Sequence, residues 1–187
     1  MSPLLPLPAI DGVEITTIMD NALDLLAAST PVAKRFLVHR DLFSSHQLRA
    51  EHGVSLLITA INQGKRETIL FDTGVTPDGA LHNLVLLGVD LSGIQAIVLS
   101  HGHTDHMQGL GGFLDTLGKR RLPILLHPDA LFEPIIPQTV EALQQITPAV
   151  IVPAHCTGWR ATQRIAQTMP EAYTPNSVGT TFRLVAE

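Results

Sequence analysis

The sequence predicts an α/β fold on three observations. Short apolar runs rich in β-branched residues alternate with stretches at helical spacing. Polar residues, histidine above all, follow directly on several of the apolar runs. Hydrophobic residues make up 45% of 187 positions against 16% charged, which is enough apolar material for one sizeable core and too little charge for disorder. No repeat, low-complexity tract or linker divides the chain, so residues 1–187 are read as a single domain.

Gly12 to Met19 predicts the first strand, closed by Asp20-Asn21, with a short helix expected over Leu23 to Ala28. Asp20 either caps that stretch or faces a site. Ser29 to Glu51 has no clean period and is read as loop with partial helix. His52 to Ile58 and Glu67 to Phe71 predict antiparallel neighbours, joined by a Gly-containing turn at Asn62-Gln63-Gly64-Lys65. Asp72-Thr73-Gly74 ends the second of these, and Pro77 opens a helix through Leu81, Leu84, Val85 and Leu86 to Gly88.

Ile94 to Leu99 then reads as a buried strand, Met107 to Leu117 as a Gly-punctuated helix, and Leu122 to Leu126 as a strand ending in His127-Pro128-Asp129. Thr139 to Ile146 looks helical. Ala149 to Val152 predicts a short buried strand running into Pro153-Ala154-His155-Cys156-Thr157-Gly158. Trp159 to Met169 predicts a helix and Thr180 to Val185 the last strand.

Charge and cysteine usage exclude several functions. A net charge of −5, with twelve Lys plus Arg scattered apart from Lys119-Arg120-Arg121, offers no footprint for nucleic acid or an anionic membrane; small-molecule partners are expected. Cys156 is the single cysteine, which rules out an internal disulfide and a Cys-based zinc knuckle and predicts a reducing, cytoplasmic setting. Met1 to Pro8 is apolar but lacks basic residues and is interrupted by proline, unlike a signal peptide, and no apolar run reaches the length of a membrane span.

The chemistry concentrates in Ser100-His101-Gly102-His103-Thr104-Asp105-His106, an H-x-H-x-D-H pattern between a strand and a helix. Open α/β sheets place their sites at such strand ends. In an extended segment His101 and His103 point to the same side and reach one cation, while Asp105 and His106, on the turn into the helix, address a second position. Nitrogen and oxygen donors without thiolate suit Zn²⁺, Mn²⁺ or iron alike. A cation held there lowers the pKa of water and polarises a carbonyl or phosphoryl oxygen, so metal-assisted hydrolysis or group transfer is the expected chemistry.

His101, His103, Asp105 and His106, with Phe71-Asp72-Thr73-Gly74 ahead of them, resemble the metallo-β-lactamase superfamily, whose members fold as an αβ/βα sandwich. The runs Glu51-His52-Gly53-Val54-Ser55, His127-Pro128-Asp129-Ala130 and Pro153-Ala154-His155-Cys156-Thr157-Gly158 are similar to the branch that includes the 7,8-dihydropterin-6-methyl-4-(β-D-ribofuranosyl)aminobenzene-5′-phosphate synthases and related metal-dependent hydrolases. That branch carries a T-G-C-x-H motif and a G-G-F-H motif between the H-P-D-A run and the C-terminal helix. Neither occurs here, so the resemblance implies a sandwich lacking part of its second half.

By that resemblance, His101 and His103 share a first metal whose third ligand is absent, while Asp105, His106 and His155 form a second site that three ligands and water complete. The expectation is one well-held divalent ion, zinc by family with manganese or iron as alternatives, and a first site that is weak, empty or rescued. Asp72 is expected either to accept a hydrogen bond from a ligand imidazole or to serve as a turn residue. His127 is a candidate substitute ligand, weighed against a structural histidine, and His52 is treated in the same way. His39, His46 and His82 are read as surface or packing residues, and Cys156 as a small buried apolar one. Lys119-Arg120-Arg121 and Arg160 are candidates for a substrate phosphate against a solvated charge run.

The implied function is metal-activated hydrolysis, or a related transfer, on an ester-like, lactone or phosphate-bearing small molecule, with Asp105 as the catalytic carboxylate managing the proton. The alternative is a non-catalytic metal-binding remnant of the family. Loss of strands from a sandwich also predicts an exposed sheet edge, and with it a homodimer.

Overall fold

Each strand of the computed structural model leads toward, or departs from, one end of a single sheet. The structure describes residues 9–36, 47–118, 122–126, 140–141, 143–145 and 147–185. The strands are β1 (Gly12–Met19), β2 (Ala33–Lys34), β3 (Ser55–Asn62), β4 (Lys65–Phe71), β5 (Ile94–Leu99), β6 (Ile124–Leu126) and β7 (Thr181–Val185). Their order across the sheet is β2-β7-β1-β3-β4-β5-β6. The helices with given bounds are α1 (Gly79–Leu86), α2 (Thr104–Met107), α3 (Leu110–Thr116) and α4 (Gly158–Thr168), and residues 140–141 and 143–145 are helical as well. None of them is long and apolar enough to cross a membrane.

Pairing fixes which ends meet. β3 runs antiparallel to both β1 and β4, and β5 and β6 follow β4 in parallel. The C-terminal ends of β1, β4, β5 and β6 therefore share one edge of the sheet. β3 starts there, with Ser55 opposite Met19, and so does β7, with Thr181 opposite Thr16. The turn between β3 and β4 lies at the other end. It is a two-residue hairpin in which Gln63 and Gly64 both have positive φ, 49° and 77°, as a twist-matched type I′ turn requires.

One face of the sheet is covered by α1, the loop after it, and α3. Ile18, Met19, Leu57, Leu70, Leu84, Ile94, Ile97, Leu99 and Phe113 form the buried cluster. Phe113 is 1% exposed, and its truncation to Ala is expected to cost about 3–5 kcal/mol. Asn83 is buried among them and satisfied, its amide donating to the carbonyls of Ile18 and Arg49 and its oxygen accepting from Arg49 N.

Most strand and helix predictions match to within a few residues, and three do not. Leu23 to Ala28 is not helical: the Asp24 carboxylate accepts from Leu26 N, while Asp24 N donates to Ser177 Oγ, so local side-chain hydrogen bonds hold a turn where a helix would need those groups. Ala149 to Val152 is not a buried strand, since it makes one bridge, Ile151 to Tyr173, and its residues are half-buried or exposed. The helix expected from Met107 to Leu117 starts three residues earlier, at Thr104, and breaks around Gln108-Gly109.

That break has a clear cause. Gly109 N donates to Gly74 O instead of extending the α2 ladder, and a Cβ at Gly109 would stand 2.1 Å from Thr73 O. The carbonyls that α2 would have used are turned to other segments: Asp105 O accepts from Val54 N, and His106 O accepts from Thr73 N and Thr73 Oγ1. Only glycine permits the approach, and glycine is also a weak helix former. The two residues whose side chains matter most are thus tied through their backbones to the loops before β3 and after β4.

Candidate functional site

Four loops converge at the C-terminal edge of the sheet. The β5–α2 turn brings His101, His103, Asp105 and His106. The β4 end brings Asp72, the segment before β3 brings His52, and a short 3₁₀ turn before α4 brings His155, reached by Asn21 from the end of β1.

The Asp105 carboxylate is the centre. Its Oδ2 lies 2.6 Å from His155 Nε2, 3.6 Å from His52 Nε2 and 3.8 Å from His106 Nε2. Asp105 and His155 and His106 are largely withdrawn from solvent, whereas the His52 side chain is 80% exposed at the rim. Burial alone would raise the Asp105 carboxyl. The hydrogen bond from His155, one from its own backbone amide and the fields of His106 and His155 outweigh burial and hold its pKa below the usual carboxylate range.

Two imidazoles have their orientation set from behind. His106 Nδ1 lies 2.8 Å from Asp72 Oδ2, with both groups buried, so Nδ1 donates and Nε2 keeps its lone pair toward Asp105. Asp72 is itself fixed by Ser100, whose amide donates to Oδ1 and whose hydroxyl donates to Oδ2, each at 2.7 Å. It sits at φ 56°, a left-handed conformation that Asp tolerates and that befits the tight Asp72-Thr73-Gly74 turn. Both expectations for Asp72 therefore describe the same residue.

His155 Nδ1 lies 2.7 Å from Asn21 Oδ1. Asn21 is held in turn by Asp20, which is buried: Asp20 Oδ1 accepts from Asn21 N, and Oδ2 accepts from the Asn176 amide, whose oxygen takes the Thr17 hydroxyl. Asp20 thus braces Asn21 and Asn176.

His101 and His103 occupy the other side. The rings of His101 and His103 are 4.5 Å apart, and those of His101 and His106 are 4.0 Å apart. Ser100 Oγ is 2.8 Å from His101 Nδ1. Burial first, then repulsion from His106 and His103, lowers the His101 pKa below its ordinary value and favours the neutral imidazole that a metal ligand needs. His127 lies outside the described residues, as do His39, His46 and Lys119-Arg120-Arg121. His82 Nε2 donates to Gln47 O, 2.7 Å away, in keeping with a packing role. Arg160 lies over the exposed ring of Trp159, 5.7 Å from its centroid.

The donor set fits a divalent cation. The ligand atoms of His52, Asp105 and His155 all lie within 4.8 Å of one another, and donors around a tetrahedral zinc at about 2.1 Å stand about 3.4 Å apart. With Nδ1 of His155 donating to Asn21, a neutral His155 would set a lone pair against a carboxylate oxygen at 2.6 Å. A proton or a cation between them resolves that repulsion. Nitrogen and oxygen donors of this kind suit zinc, manganese or iron.

Reasoning from sequence had placed His101, His103, Asp105, His106 and His155 in one centre, and the structure brings these together. It weighed His52 as a ligand against a structural histidine, and it did not single out Asn21. The available signal was their position, since Asp20-Asn21 ends a strand as Asp72 and Ser100 do, and Glu51-His52-Gly53 enters one. A separate cavity of about 760 Å³, lined by Glu14, Lys34, Arg35, Thr181 and Arg183, lies at β2 and β7 and holds none of the site histidines.

Comparison with known proteins defines the class first by fold. The chain superposes on the solved structure of a metal-dependent hydrolase of the beta-lactamase superfamily with a TM-score of 0.58 at 14% identity, covering 93% of this chain and 100% of that one. The fold is that of the metallo-β-lactamases. Sequence agrees over part of the chain: residues 48–135 match the model of the Metallo-beta-lactamase superfamily.

Over 80 residues the chain is 39% identical to 7,8-dihydropterin-6-methyl-4-(beta-D-ribofuranosyl)-aminobenzene-5′-phosphate synthase of Methanocaldococcus jannaschii, a match covering 43% of this chain and 27% of that protein. Over 74 residues it is 35% identical to the anti-Pycsar protein Apyc1 of Saccharibacillus brassicae, covering 38% of this chain and 29% of the relative. The matches thus span under a third of these relatives' length.

Proposed function

We propose that this protein is a metal-dependent hydrolase, or a related transferase, acting on an ester-like, lactone or phosphate-bearing small molecule. The observation that carries the reading is the Asp105 carboxylate set among the Nε2 atoms of His52, His106 and His155. Asp105, His106 and His155 are the residues that would hold a divalent ion, with zinc, manganese or iron as the candidates; His101 and His103 are the residues for a second. A bound ion of that kind supplies Lewis acidity and lowers the pKa of water.

The chain's own contribution is arrangement. Asp72 and Asn21 hold Nδ1 of His106 and His155 from behind and so turn their Nε2 atoms inward, and Ser100 holds Asp72 in place. Asp105, held ionised, serves as the proton-accepting catalytic carboxylate. The shortened second half and a cytoplasmic setting belong to this proposal. So does a homodimer, because β6 is the outermost strand among the described residues, with Ile124 and Leu125 exposed there. Sedimentation showing only monomer at high concentration would remove the dimer.

Metal content per chain, measured alongside turnover of generic phosphodiester, lactone and thioester substrates, tests the function. The expected result is turnover that follows divalent-ion loading and disappears in Asp105→Asn. Stoichiometric metal with no turnover across that panel would replace the enzyme with the alternative, a non-catalytic metal-binding member of the family.

A further inference from the structure

The geometry points to His52 as an additional protein ligand of the ion held by Asp105 and His155, a role set by the backbone around it. This inference rests on the metal reading above and concerns which side chains make the site.

Three observations support it. His52 Nε2 stands 3.6 Å from Asp105 Oδ2, close to the separation of about 3.4 Å between two donors sharing a tetrahedral ion at about 2.1 Å. The His52 ring meets the His155 ring edge to face, with centroids 4.5 Å apart, so both imidazoles address the same side of the carboxylate. The segment bearing His52 is also docked on the site from behind: Val54 N donates to Asp105 O and Gly74 N donates to Val54 O.

Gly53 makes that docking possible. A Cβ there would lie 2.6 Å from Asp105 O and 3.1 Å from Val75 N, both backbone atoms that cannot swing aside. The glycine after His52 therefore serves to bring the histidine's own backbone against Asp105. An exposed histidine with no role would need no such approach. Because its side chain is 80% exposed, His52 completes the coordination from the rim, while His106 and His155 are fixed from within by Asp72 and Asn21. It is the ligand most readily exchanged for an incoming oxygen donor.

Titration of the metal-free full chain with Co²⁺, read by its ligand-field absorption, tests this without any substrate. His52→Ala is expected to weaken Co²⁺ binding by about 10–100-fold and change the absorption envelope, with added imidazole restoring both. Gly53→Ala is expected to reproduce part of the loss with His52 still present, and circular dichroism checks that both variants remain folded. If wild type binds Co²⁺ tightly and His52→Ala gives the same affinity and spectrum, His52 is not a ligand and the metal reading stands. Wild type that binds no Co²⁺ overturns the metal reading and this inference together.

Discussion

The two arms of the H-x-H-x-D-H turn are built differently. Asp105 and His106 start a helix, are half-buried or buried, and have their backbones locked to the loops before β3 and after β4. His101 and His103 precede that helix in extended chain, with His103 exposed, and their rings pack chiefly on each other and on His106. The difference teaches that a shared motif need not be a symmetric site. One arm draws braces from β1, β4 and the segment before α4; on the other, Ser100 Oγ lies 2.8 Å from His101 Nδ1.

Removing the centre of the braced arm should have the largest effect. Asp105→Ala is expected to lower affinity for the divalent ion held with His106 and His155 by more than about 100-fold, exceeding the range for residues that only orient a ligand, as chelator competition would measure. Equal loss on His103→Ala would break the asymmetry. Next comes Asp72→Ala, which strips a buried acceptor from His106 and two hydrogen bonds from Ser100. It is expected to cost about 1–3 kcal/mol of stability by denaturant unfolding and about 10–100-fold in metal affinity.

Asn21→Ala sharpens the comparison at the outer brace. Asn21 is exposed, so stability should change little, while metal affinity falls by about tenfold as His155 loses its fixed tautomer. Asn21→Asp, which keeps the acceptor, should recover most of it.

Acidity should affect both arms of the metal-free protein. His101 has a lowered pKa in the folded state, so below its ordinary value of 6.5 the unfolded chain takes up a proton that the fold refuses. Stability is therefore complete above about pH 6.5 and declines as pH falls toward the folded pKa. Asp105, also lowered, adds a further loss only below the carboxylate range. Melting temperature against pH in the presence of chelator should show the first decline, and His101→Asn should remove it. The smallest effect is expected from His103→Ala, which should leave the affinity of the ion held by Asp105 unchanged while weakening any ion held by His101 and His103.

Much of this was legible from the residues alone. β1, β5, β7 and α4 announce themselves by period and length, and the ligands of the turn by their crowding. Two kinds of information were not. Local hydrogen bonding overrode apolar spacing at Leu23 to Ala28, where Asp24 competes for the backbone. Long-range docking was invisible as well: nothing in Met107 to Leu117 says that Gly109 will donate to Gly74, because that bond depends on a loop far away in the chain. His52 was left open between ligand and structural histidine for the same reason, since its place depends on the approach of Gly53 to Asp105.

The interruption between α2 and α3 also has a dynamic meaning. Because Asp105 O and His106 O hold Val54 N and Thr73 N, and Gly74 O holds Gly109 N, the loops and the helix start form one closed ring of backbone bonds. Such a ring opens as a unit, so the amides of Val54, Thr73 and Gly109 should exchange with solvent at a common rate. Divalent metal, by gripping the side chains of the same residues, should slow all three together, turning a binding event at Asp105 into rigidity across three loops.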